Sequence, residues 1–370
     1  MIKNSIIVSN QNNLPPFFFI IGRPRSGTTL LKMLFDAHSS VLVPPECQFI
    51  VDLYSKYHKK GYWSVADLKR FAKDVAGVWR FEMWRIPYDL LESTLIKSEG
   101  EVSYPELCKQ VYLLYNSLYA KTELKLLGDK NPGYSIYTKR LMKLFPEAKF
   151  VFITRDYRDN FVSIMDVKFD IPWPSLVAWK WVYYYKRVKR EALKHPDQYY
   201  FVNYEALTAN PLEVIPSICE FLGISFEPTM LEYYEKKEEF TKMYRPGILK
   251  NIHSNIINEV NTSRVDVWKK RLTEKQVRIL DYVVGDLAEE AGYDRVYKNH
   301  SIMTKISSIP GILFAMMIIG ATSVIDLFPA KVRENLLSKG PKAVAFFILS
   351  IVNPKKLKEI KQKIESNKMQ

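Results

Sequence analysis

The stretch "FFFIIGRPRSGTTLLKMLFDAHSS", residues 17–40, decides how this chain is read. A run of bulky apolar residues stops at Gly22, the composition of a buried strand over 17–21. Gly27 then leads into a segment whose Leu30, Leu31, Leu34 and Phe35 share one helical face, which predicts a helix over 28–37. Strand, glycine-rich turn and helix together offer backbone N–H groups at the positive end of a helix, a cradle for an anion. A triphosphate-binding loop, G-x-x-x-x-G-K-[ST], carries a lysine after its second glycine. Here Thr28 stands in that place, followed by Thr29, and the cations lie inside the loop at Arg23 and Arg25. Arg25 brings a planar, fixed charge, and Ser26, Thr28 and Thr29 bring hydroxyls. Arg23 is expected to face solvent.

Outward from the loop, strands alternate with helices. "SVLVPPE" reads as a short strand stopped by Pro44 and Pro45. From about 47 to 125 the pattern is helical and rich in tyrosine and tryptophan, an inserted helical subdomain whose aromatics are core by default. "LKLLGDK" and "KFVFITRD" read as strands, with the helix "YTKRLMKLF" between them. A further helix starts near Tyr157, a long one spans roughly 175–193, and the strand "QYYFVNYE" precedes the helix "NPLEVIPSICEFLGI". This order predicts a P-loop-like, three-layer α/β/α fold with a central parallel sheet, and ligands at the carboxyl ends of the strands.

Residues 1–300 are assigned to that domain and 301–370 to an apolar and basic C-terminal region. The segment 306–325 carries no charge, and "AVAFFILSIV" follows at 343–352 between lysines. Residues 331–370 hold ten Lys or Arg against three Glu. The first segment is just long enough to cross a bilayer and the second is too short. The pair is expected to form an apolar helical hairpin, lying in the plane of an anionic membrane surface or packed on the protein.

The 370 residues are 47% apolar and 25% charged, an ordered globule rather than a disordered chain. A net charge of +14 calls for an anionic partner, which composition alone leaves open among nucleic acid, acidic lipid and a polyanionic small molecule. Cys47, Cys108 and Cys219 show no metal-ligand spacing and fit a reducing compartment. The opening residues lack the apolar core of a secretory signal. A cytoplasmic protein, peripheral on the inner face of the plasma membrane, is the expectation.

Three motifs carry a family resemblance. "PRSGTTLL" resembles the 5′-phosphosulfate loop of sulfotransferases that use 3′-phosphoadenosine 5′-phosphosulfate (PAPS). "FVFITRDYRDNFVSIM" is similar to their 3′-phosphate segment, and "NYEALTANPLEVIPSICEFLGI" to a third stretch, in family order over roughly 17–225. "SRVDVWKKRLTEKQ" resembles the closing helix of the branch containing tyrosylprotein sulfotransferases. The resemblance implies that Arg25, Ser26, Gly27, Thr28 and Thr29 hold the 5′-phosphosulfate. It implies that Arg155 and Ser163 hold the 3′-phosphate, with Tyr204 nearby. It also explains the absent lysine, since PAPS has no β- and γ-phosphates to reach, and no metal is expected; the product is 3′,5′-ADP.

Transfer to an alcohol requires a proton acceptor and cations where oxygen charge builds. The cytosolic branch's histidine motif is not visible, and His38 reads as a helix cap. Glu46 in "VPPE" falls where the tyrosylprotein branch has its glutamate base. "GDKNP" matches the catalytic lysine segment, which puts Lys130 beside Arg25 on the transferring group. The expected acceptor is a small molecule or lipid, a lipophilic alcohol such as a sterol first and a glycan or glycolipid second, and nucleic acid is not expected. A P-loop kinase and an inactive nucleotide-binding scaffold are the rival classes.

Overall fold

The computed structural model describes residues 14–167, 170–239, 258–325 and Pro354. The apolar segment 343–352, and with it the second arm of the expected hairpin, lies outside the described residues. The chain divides into two compact units. The first takes the residues up to Asp156 together with Tyr183–Val267; the second takes Tyr157–Val182 and the residues from Trp268 onward.

The first unit is built on a parallel sheet of five strands. In chain order the strands are β1 (Phe17–Gly22), β2 (Val41–Leu42), β3 (Tyr62–Trp63), β4 (Gly100–Glu101), β5 (Leu126–Lys130), β6 (Lys149–Thr154) and β7 (Tyr199–Asn203). The sheet order is β2-β5-β1-β6-β7, while β3 and β4 pair antiparallel on their own. Every residue of β1 is buried, because both faces of a parallel sheet are covered and alternate side chains feed the two sides. On one face Phe18, Ile20, Val151, Ile153 and Val202 pack with Leu31, Leu34 and Phe35 of α1 (Thr28–Ala37) and with Ile215 and Ile218. On the other, Phe17 meets Tyr112 and Phe145 at ring-centroid distances of 4.7 Å each, and Phe19 meets Tyr134 at 6.1 Å. The register sets Ile20 beside Lys130 and Gly22 beside Ile153, so the carboxyl ends of β5, β1 and β6 stand side by side. The chain leaves β1 toward β2 on one flank and returns as β6 on the other, the kind of switch point where open parallel sheets bind ligands.

Between β2 and β5 the chain forms short helices around the small β3–β4 pair. Two of its helices, Val65–Gly77 and Tyr104–Leu113, begin with reciprocal capping boxes, Ser64 with Asp67 and Ser103 with Glu106. Tyr57, Trp63, Trp84, Tyr112 and Tyr115 are buried here, whereas Trp79 is exposed. These two-residue strands were not expected from the sequence, since no alternating pattern of that length can be distinguished from a loop.

The second unit is helical. Tyr157 donates its hydroxyl hydrogen to the fully buried Asp281 at 2.6 Å, which also accepts from the Tyr297 N–H at 2.8 Å. Asp159 accepts from the Trp268 N–H at 2.8 Å, and the Arg158 guanidinium lies 4.0 Å from the Trp268 ring centroid. Ser163 belongs to the helix Tyr157–Met165 of this unit.

Candidate active site

The loop after β1 folds as its glycines demand. A Cβ on Gly22 would sit 2.4 Å from the Ile153 carbonyl oxygen, so only glycine lets β1 end against β6. Gly27 has φ +98°, and a Cβ there would fall 2.5 Å from the Tyr204 ring. The loop turns through Arg25 at φ 73°, a left-handed conformation that costs a non-glycine residue energy and clusters at functional sites. Gly27 has no side chain with which to cap α1, and the first turn of that helix carries no acidic residue. The helix therefore presents its positive end and its first amides to an anion. Ser26 and Thr28 are buried within the loop. Arg23, expected to face solvent, is instead buried, with its guanidinium 5.7 Å from the Tyr184 ring. Tyr184, remote along the chain, covers it, a tertiary effect invisible in the local pattern.

Arg155 and Tyr204 meet this loop from β6 and β7. Tyr204 opens the helix Tyr204–Ala209 directly after β7, and its ring lies against Gly27. The buried Arg155 guanidinium sits 4.7 Å from the same ring and donates to the Arg25 carbonyl at 3.3 Å and to the Arg264 carbonyl. One arginine thus ties the anion loop to the segment around Arg264.

Glu46 and Lys130, 84 residues apart in sequence, are in contact. Lys130 Nζ donates to Glu46 Oε2 at 2.9 Å, and Arg80 Nη1 approaches the same oxygen at 3.1 Å. Burial pulls the Lys130 ammonium below its ordinary pKa, and the Glu46 carboxylate pushes it partly back. The backbone around Glu46 is fixed from both sides. The Trp84 indole N–H donates to the Pro45 carbonyl at 2.7 Å, and the Asn131 amide donates to the Cys47 carbonyl at 3.1 Å. Farther back, Asp36 of α1 accepts from the Val43 N–H at 3.1 Å. Burial pushes the Asp36 carboxyl up, but Lys32 and Lys121 outweigh it and hold it below the usual carboxylate range. Beneath the pair, burial pushes the Asp129 carboxyl up to about 7, with the Glu46 charge adding to the push and Tyr112 and Asn131 pulling against it.

His38 is a structural residue. It ends α1, and its buried ring makes a 2.8 Å hydrogen bond with the Ser225 carbonyl and accepts from the Ser40 N–H at 3.0 Å. Arg80, Trp84, Asn131 and Asp129 were missed by the sequence reading. Asn131 could have been found as the residue after Lys130 in "GDKNP"; Arg80 and Trp84 belong to no motif.

Fold and site together define an α/β protein whose candidate site sets a glycine-rich loop at a helix N-terminus at the carboxyl ends of a parallel sheet, with a carboxylate–ammonium pair at the end of the adjacent strand. The sequence profile of the sulfotransferase family matches residues 16–228, and the chain belongs to that family. It is 24% identical over 284 residues to protein-tyrosine sulfotransferase 1 of Danio rerio, covering 75% of this chain and 72% of that one. An uncharacterized protein of Aquifex aeolicus is 24% identical over 268 residues, 68% of this chain but 30% of its own length. The fold is that of the sulfotransferase domain from the Synechococcus PCC 7002 olefin synthase, with a TM-score of 0.54 at 20% identity, covering 77% of this chain and 98% of that domain.

Proposed function

We propose that this sulfotransferase moves the sulfonate of PAPS onto the hydroxyl of a lipophilic alcohol, with Glu46 as general base. The observation that carries the reading is the Glu46–Lys130 pair at the carboxyl end of β5, beside the anion loop of β1. The donor set suits a nucleotide with two separated phosphates. The loop amides and the buried Ser26 and Thr28 hydroxyls supply donors for one phosphate, with Arg25 joining them by the family resemblance, and the buried Arg155 beside Tyr204 supplies a cation for the second. Bound there, PAPS supplies an activated sulfonate, and 3′,5′-ADP is what remains after transfer.

The residues of the chain then divide the work. Glu46 accepts the hydroxyl proton as the acceptor oxygen bonds to sulfur. Its backbone is pinned at Pro45 and Cys47, so the carboxylate needs little reorganisation. Lys130 and Arg25 place positive charge where the bond between sulfur and the 5′-phosphate oxygen breaks. Ser26, Gly27, Thr28 and Thr29 hold the 5′-phosphate, and Arg155 holds the 3′-phosphate with Tyr204 as its wall.

The lipophilic acceptor is supported by the exposed apolar helix at the C-terminal end of the described chain. A tyrosyl hydroxyl is the second reading, favoured by the likeness to the zebrafish protein-tyrosine sulfotransferase. Incubation with labelled PAPS and a cell extract separates them. Label in the organic phase supports the lipid alcohol, and label in precipitated protein supports tyrosine. Label confined to water-soluble saccharide defeats both.

A further inference from the structure

The helix Ile302–Ile325 of the second unit has two unlike faces. One packs on its own unit through Ser308, Gly311 and Ala315, which lie on one side of the helix. Ser308 and Ala315 are fully buried, and a Cβ on Gly311 would sit 2.1 Å from Ser175 Oγ. The other face carries Ile302, Ile306, Ile309, Leu313 and Met316, spaced four, three, four and three residues apart, with Met303 at its edge. These six side chains are 49–72% exposed. Five of the twenty residues Ile302–Ala321 are buried, far fewer than a core helix of this composition would show. A contiguous exposed apolar face of this kind marks an interaction surface.

We propose that this face docks in the plane of an anionic lipid bilayer. A spanning helix is surrounded by lipid, but here one side is pressed against Ser175 by small residues, so the helix can enter the interface only along its outer side. Charge complementarity selects the occupant. Lys305 is exposed on the same helix, and residues 331–370 contribute ten Lys or Arg against three Glu. An apolar face followed in sequence by a basic segment is the two-part signal that stable attachment to acidic headgroups requires, whereas a second copy of this chain would bring a like charge of +14. The inference stands apart from the identity of the acceptor.

Flotation of the purified full chain tests it, using vesicles of phosphatidylcholine alone and vesicles with about a third phosphatidylglycerol. The protein floats with the anionic vesicles and far less with the neutral ones. The double substitution Ile306→Glu and Leu313→Glu weakens that binding about tenfold or more, since a charge on the apolar face must be dehydrated to enter. Both positions are exposed, so the melting temperature and the 3′,5′-ADP affinity of the variant remain those of the wild type; these readouts report on fold and nucleotide site independently of the membrane. A variant that floats as the wild type does overturns the proposal. So does a wild-type chain that ignores both vesicle types, whether it elutes as a dimer split by the substitutions, which would give the face to a second copy, or as a monomer.

Discussion

The loop after β1 and the cluster around Glu46 form neighbouring parts of one edge of the sheet, yet they are made in opposite ways. The loop is local. Gly22, Arg25, Ser26, Gly27 and Thr28 are consecutive or nearly so, and two glycines dictate the path of the backbone. The cluster is assembled from distant parts of the chain. Glu46 follows β2, Arg80 comes from the helical insertion, and Lys130 ends β5. A local cradle suits a ligand of fixed shape, such as the phosphate proposed for it. An assembled cluster can vary with the segment that completes it, which suits an acceptor that differs from one sulfotransferase to another.

If the two parts divide binding and chemistry, their substitutions separate. The largest effect is expected for Glu46→Gln: turnover falls about 10²–10⁴-fold, while 3′,5′-ADP affinity measured by calorimetry stays near that of the wild type. Equal losses in both would merge the cluster with the cradle. Next comes Arg155→Ala, which removes a buried charge against Tyr204 and weakens 3′,5′-ADP binding about 10²-fold. An unchanged nucleotide affinity would remove Arg155 from the cradle.

Asp129→Asn probes the support beneath the cluster. The Asp129 carboxyl goes from an ordinary value of 3.8 to about 7 in the fold, so the folded state holds its proton more tightly than the unfolded chain. Its contribution to stability is present below about pH 4 and is lost as pH rises toward about 7. The amide variant has no such titration. Its melting temperature relative to wild type therefore climbs by a few degrees between about pH 4 and about pH 7 and is level above that. A pH-independent difference would place the proton elsewhere.

The smallest effect is expected for Arg80→Gln. Arg80 lies 3.1 Å from Glu46 Oε2, but its side chain is 32% exposed, so solvent screens the pair. Loss of the cation lowers turnover by about threefold or less, and the effect shrinks at high salt. A fall of about a hundredfold that salt does not change would mean that Arg80 contacts the acceptor rather than Glu46.

The sheet and the loop were legible because their signals are short-range. A strand over 17–21 and a helix over 28–37 are found as Phe17–Gly22 and Thr28–Ala37, and the long helix expected over roughly 175–193 runs Pro174–Ala192. Apolar runs and helical stripes report burial directly. The insertion was legible only as helical and aromatic. Nothing in "VWRFEMW" says that Arg80 turns to Glu46 or that the Trp84 indole fixes Pro45. The burial of Arg23 was misread for the same reason: the Tyr184 ring that covers it comes from a helix far along the chain.

By itself, the sequence determined the anion loop, the parallel sheet and the family, because glycines, apolar periodicity and motif spacing act on the backbone within a few residues. Tertiary structure alone decided which cations reach Glu46, what holds its backbone, and which side of the helix Ile302–Ile325 stays uncovered. Those outcomes depend on packing between segments remote in the chain, and a one-dimensional pattern does not record which surfaces will meet.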